Sequence, residues 1–131
     1  MTVELTMLAY SVGLLVVLIL IQAAVGIGQY GVVPLAGPRN DLPPPKPLPA
    51  RAKRVVDNHR EGLTVFAPLV LIAAIAGIHT DKTVLGAELF FYARLAHAVI
   101  YLLGLPLIRP LAWAVGLAGT LLILSAILGL R

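Results

Sequence analysis

Eight side chains in this sequence could do chemistry: Arg51, Arg54, Asn58 and Glu61 in one stretch, Arg94, His97 and Tyr101 in a second, and Arg109 beyond them. A helix turns about 100° per residue, so positions three, seven and ten after Arg51 gather within roughly a quarter turn. Arg54, Asn58 and Glu61 occupy those positions, giving one polar stripe. His97 and Tyr101 stand three and seven residues after Arg94 and form a second stripe in the same way. Guanidinium groups bind carboxylates through paired, charge-assisted hydrogen bonds, and a carboxylate is the natural partner of an amino group. Two such stripes face to face suit a small zwitterionic ligand, with the arginines on its carboxylates and Glu61 on its amine. A plainer arrangement uses the same residues: Glu61 neutralises Arg94 across the helices, and His97 and Tyr101 satisfy each other or backbone carbonyls.

The elements that carry these stripes are membrane helices. The chain has 131 residues, of which 60% are hydrophobic and 12% charged, far more apolar than a soluble domain of that size. A bilayer core needs roughly 20 mostly apolar residues per spanning helix. Four stretches approach that length, giving expected helices at about 3–27, 53–78, 85–103 and 108–130. Short turns at His79–Thr83 and around Gly104, Pro106 and Pro110 join the last three. Such hairpins predict an all-α, integral membrane, four-helix up-down bundle in which residues 1–131 are one domain. Gly116 and Gly119 offer close-packing positions on the last helix.

Charge sets the expected orientation. The formal charge of +4 would raise nucleic acid as a partner in a soluble protein, but the excess sits around the first connection. Arg39, Lys46, Arg51, Lys53 and Arg54 face Asp41 alone there, whereas Lys82 in the second connection is offset by Asp81 and Glu88. The positive-inside rule places the first connection in the cytoplasm and both termini on the far side, in a bacterial-type inner membrane, with no nucleic-acid partner. Both stripes then lie in the cytoplasmic half of the bilayer. The connection at 28–52 is dense in proline, with Pro43, Pro44 and Pro45 consecutive, and is expected to be an extended loop, either a linker or a flap.

Other residues carry less. Helical phase puts His59 and Arg60 off the stripe, where they are expected to reach the headgroups. His79 reads as a lone exposed histidine, and Trp113 and Tyr92 as interface anchors, although Trp113 is one turn after Arg109 and able to close a pocket. The sequence has no cysteine, paired-histidine metal spacing, glycine-rich phosphate loop or nucleophile elbow.

The run Arg51-Ala-Lys-Arg54-Val-Val-Asp-Asn58-His-Arg-Glu61 ahead of an apolar helix resembles the signature of the MAPEG family, membrane-associated proteins of eicosanoid and glutathione metabolism. The run Ala93-Arg94-Leu-Ala-His97-Ala-Val-Ile-Tyr101, with Pro106-Leu-Ile-Arg109 after it, resembles the third helix of its prostaglandin E synthase and microsomal glutathione transferase branch. The resemblance implies a homotrimer with glutathione between neighbouring subunits, held by Arg54, Asn58 and Glu61 with His97 and Tyr101 across the packed helices. It implies for Arg109 the role of the catalytic arginine that stabilises the glutathione thiolate, the nucleophilic form of a thiol. The second substrate would be a lipophilic electrophile or peroxide arriving from the membrane lipids. Two positions depart from that pattern: Asp57 replaces an arginine of the synthase branch, and the first helix ends in Gln29 and Tyr30 with no arginine.

The expected function is therefore a membrane-bound, glutathione-dependent transferase or peroxidase. Its rivals are a catalytically inactive relative that binds a lipid or partner protein, and a small multidrug exporter. The exporter needs a membrane-embedded carboxylate in the first helix, where this chain has only Glu4 at the extreme end.

Overall fold

The computed structural model describes residues 1–130, which form helices α1 (Val3–Tyr30), α2 (Val32–Ala36), α3 (Pro47–Ile75), α4 (Asp81–Leu102) and α5 (Arg109–Ile127), with no strand among the described residues. Helix starts follow capping chemistry. The Thr2 hydroxyl accepts from the Leu5 amide at 3.4 Å to open α1, and Thr80 and Thr83 form a reciprocal capping box at α4. Gly31, at φ 80°, closes α1 in a conformation that costs a side chain dearly.

The largest departure from expectation is the start of α3. The proline-dense segment was expected to stay extended to residue 52, yet α3 begins at Pro47. Pro47 and Pro49 lie in the first turn, where backbone amides have no intrahelical acceptor and a proline removes nothing. Of the other prolines, Pro43 and Pro44 are tied to the end of α1. The Tyr30 hydroxyl donates to the Pro43 carbonyl at 2.8 Å, the Gln29 amide donates to Pro44 O at 3.0 Å, and Gln29 accepts from the Lys46 amide at 2.8 Å.

Three helices, α1, α4 and α5, are long and apolar enough to cross a membrane, with mean hydropathies of 2.5, 1.3 and 1.9, and the chain is a membrane protein. Helix α3 has the length, at 29 residues, but the polar stripe in its first half lowers its hydropathy. Three of the four expected spans thus meet that measure, and α3, though 29 residues long, does not.

Packing registers are read from the core. Met7 meets Leu63, Phe66 and Val70 while Leu18 meets Val55 and Val56, so α1 and α3 run in opposite directions. Phe66 stacks on Phe90 with ring centroids 3.8 Å apart, joining α3 to α4. Helices α4 and α5 touch backbone to backbone: a Cβ on Gly119 would lie 2.5 Å from the Gly86 carbonyl oxygen, and one on Gly86 would lie 2.6 Å from that of Gly119. Small residues permit this approach where hydrophobic driving force between helices is weak. Gly119 is thus a close-packing position as expected, but its counterpart is Gly86; Gly116 faces Ala93 and Arg94 instead.

Two further contacts correct the reading of isolated polar residues. His59 is 3% exposed and its Nε2 lies 2.8 Å from the Ser11 carbonyl of α1. It shares the phase of Val55, Val56, Leu63 and Phe66, all buried, and so belongs to the core face and not to the headgroups. His79 is not alone: its Nδ1 lies 2.7 Å from Glu4, whose buried carboxylate also accepts from the Thr83 hydroxyl. Arg60 stays exposed, as expected, 3.7 Å from Asp57.

Candidate functional site

The two stripes meet where α3 and α4 cross. Arg94, 5% exposed, donates from Nη1 to the Asn58 amide oxygen at 2.7 Å, so the polar faces of both helices are joined by a direct hydrogen bond. Gly62 makes this possible, because a Cβ there would stand 2.5 Å from Nη2 of Arg94. The guanidinium therefore lies flat on the α3 backbone, with its carbon 5.3 Å from the centre of the Phe90 ring. The alternative in which Glu61 neutralises Arg94 is not what is seen. Glu61 is exposed and forms no ion pair among the described residues, and Asn58 takes the guanidinium instead.

Three adjoining cavities run along this face. Arg51, Arg54, Tyr101 and Arg109 line one of about 340 Å³ together with the Gly104–Leu107 turn. Asn58, His97, Tyr101, Arg109 and Trp113 line a second of about 330 Å³. The third, about 150 Å³, lies between Asn58, Glu61, Arg94 and Trp113. Shared walls at Asn58, Tyr101, Arg109 and Trp113 make them one groove, with arginines at one end and Glu61 at the other.

All eight residues singled out from the sequence thus border the groove, although not equally. Arg109 places its guanidinium carbon 4.6 Å from the centre of the Tyr101 ring, a cation–π contact that fixes both. His97 is buried and packs edge-on against Tyr101, with centroids 5.5 Å apart. That ring contact is the nearest approach to the mutual satisfaction expected of the pair. Arg51 rests against the end of α4, where Gly104, at φ 73°, leaves its Nη1 3.0 Å from the position a Cβ would take. The Nε atoms of Arg51 and Arg94 are buried and have no hydrogen-bond partner among the described residues. Buried unsatisfied donors are costly, and donors beside a groove are satisfied by an anionic or carbonyl-bearing ligand.

The sequence reading marks Trp113 only as able to close a pocket and Gly104 only as a turn residue, and it does not mark Gly62. Helical spacing offered a signal for Trp113, one turn after Arg109. No signal marked this role of the glycines, because it depends on which guanidinium lies over them. Asp57 stands outside the groove, holding Lys53 at 2.6 Å.

The arrangement can bind a small molecule bearing carboxylates at the arginine end and an amine at the Glu61 end, and can stabilise an anion beside Arg109. Among the described residues no cluster of acidic or histidine side chains has the composition of a metal site. Comparison with known proteins gives one family: the model of the MAPEG family matches residues 7–129. No curated protein and no solved structure matches the chain.

Proposed function

The chain belongs to the MAPEG family, which includes glutathione transferases, peroxidases and eicosanoid synthases, and on that premise we propose that it is a membrane-bound, glutathione-dependent transferase or peroxidase acting on lipophilic electrophiles. The observation that carries the reading is the groove with three arginines at one end and a free carboxylate at the other. Glutathione has two carboxylates, one ammonium and one thiol, and the charge order of the groove matches that inventory. The orphaned Nε of Arg51 at its wall supports the fit, since a carboxylate would supply the missing acceptor.

In this reading Arg51 and Arg54 hold the glycyl carboxylate and Glu61 the γ-glutamyl ammonium, whose neighbouring carboxylate lies at the same end as Arg94. Asn58 meets the peptide backbone of the ligand, oriented through its bond to the positioning residue Arg94. His97 and Tyr101 form the inner wall, and Tyr101 holds the Arg109 guanidinium in place. Bound glutathione supplies a sulfur nucleophile. Arg109 is its catalytic partner: a guanidinium beside a thiol favours the thiolate, which reacts where the thiol does not. Trp113 and the Pro106–Leu107 turn present apolar surface to a substrate that partitions into the bilayer.

The whole-molecule form that goes with this function is a single-domain, four-helix up-down bundle in which α3 is the fourth span. The first connection faces the cytoplasm, both termini face the far side of a bacterial inner membrane, and three copies assemble so that the groove is closed by a neighbour. The test is conjugation of glutathione to chlorodinitrobenzene by the detergent-purified protein. Turnover that falls at least a hundredfold in Arg109→Ala, with glutathione binding retained, supports the reading; wild-type turnover no faster than the uncatalysed rate contradicts it.

A further inference from the structure

A second cavity, of about 420 Å³, lies on the opposite face of the α3 entry turns, between α1, α2 and the proline-rich segment, and takes no part in the proposed reaction. Its floor is one stripe of α1: Ile19, Gln22, Ala23, Gly26 and Tyr30 stand at helical spacing along it. At 1.5 Å per residue this trough is roughly 16 Å long, about the depth of one leaflet of a 30 Å hydrocarbon core. Small side chains at Ala23 and Gly26 keep it open. Leu35, Leu42 and Pro45 wall its outer end, and the hydrogen bonds of Gln29 and Tyr30 to the Pro43–Lys46 backbone hold that wall in place.

Two exposed cations, Arg39 and Lys53, line the trough. The register of α3 on α1, with Val55 and Val56 beside Leu18, sets Lys53 near the Ile19–Gln22 end. The Nε of Arg39 donates to the Leu35 carbonyl at 2.7 Å, and its terminal nitrogens make no hydrogen bond among the described residues. Among the described residues Lys53 is engaged only by Asp57, in an exposed pair of the kind that yields readily to a competing anion. Toward the Ile19 end of the floor Gln22 carries an amide with no hydrogen-bond partner among the described residues, inside the most apolar helix of the chain. A bare amide in hydrocarbon is unfavourable, and an ester oxygen relieves it.

We propose that this trough is a binding site for an anionic phospholipid, with one acyl chain along α1 and the phosphate between Arg39 and Lys53. A long, largely apolar channel fits a lipid chain, two cations on its lining favour a phosphate without a compensating choline, and basic pockets between membrane helices recognise anionic headgroups in this way. The site is independent of glutathione binding, because Arg39, Lys53 and the α1 stripe share no wall with the groove.

Native mass spectrometry of the full chain, released from detergent containing equal amounts of phosphatidylglycerol and phosphatidylcholine of matched chains, tests this. The expected result is one retained phosphatidylglycerol, favoured roughly tenfold or more over phosphatidylcholine, as two surface cations near a headgroup imply. Arg39→Gln with Lys53→Gln should erase that preference, and Ala23→Phe, which fills the trough, should lower retention of both lipids. Arg54→Gln, in the other groove, should leave lipid retention unchanged. Both charge substitutions are on exposed side chains, so helix content by circular dichroism should match wild type. Equal retention of the two lipids by wild type, or an undiminished preference in the double variant, would overturn the proposal.

Discussion

At the scale of single residues, Asn58 and Glu61 are neighbours on one stripe with separable roles. Asn58 is the only hydrogen-bond acceptor of the buried Arg94 among the described residues, so Asn58→Ala leaves a guanidinium without a partner and should destabilise the protein by about 2 kcal/mol. Thermal unfolding in detergent reads this. Glu61→Ala removes an exposed carboxylate with no ion pair, and stability should stay within about 0.5 kcal/mol of wild type. Glutathione affinity, measured by calorimetric titration, should nevertheless fall by about 2 kcal/mol or more if Glu61 binds the ammonium. A stability loss in Glu61→Ala equal to that in Asn58→Ala would mean that Glu61 is structural. The stripes themselves were legible in the sequence, because spacing alone fixes which side chains share a helix face. Spacing did not say that Arg94 would choose an amide over a carboxylate. That choice depends on Gly62, whose missing Cβ lets the guanidinium settle on α3.

At the scale of elements, the contact between α4 and α5 rests on two glycines with no side chain to yield. Gly119→Val brings carbon against the Gly86 carbonyl and the Phe90 amide and should cost about 3 kcal/mol by overpacking, again read by thermal unfolding. One turn before Gly86, the same end of the molecule is pinned by Glu4, which joins the start of α1 to Thr83 of α4 and to His79 before it. Glu4→Ala removes the charged acceptor shared by Thr83 and His79 and should destabilise by about 1–3 kcal/mol, whereas Glu88→Ala, with no such partner among the described residues, should not. Apolar runs made the long helices legible, and proline density obscured one boundary: Pro47 and Pro49 were read as breakers although a first turn tolerates them. Glu4 and His79 were illegible for a different reason. They lie 75 residues apart, and nothing local marks a pair created by the antiparallel return of α3. His59 illustrates the remedy, since its phase with Val55 and Leu63 already placed it on the core face.

At the scale of the whole molecule, an apolar scaffold with three strongly hydrophobic helices keeps a polar groove along its side. Ionisable groups at membrane depth are expensive, and here Arg51, Arg54 and Arg109 stand at one end of the groove and Glu61 at the other, beside the buried Arg94. That ordering is what a family signature in the sequence could suggest and only a folded chain can arrange. The central claim is that the groove binds glutathione and Arg109 holds its sulfur as a thiolate. Ultraviolet difference absorbance of the detergent-purified protein, titrated with glutathione near neutral pH, tests it most directly. A saturable thiolate band that disappears in Arg109→Ala while binding persists is expected; saturable binding without the band, or no binding at all, would rule out an Arg109-held thiolate.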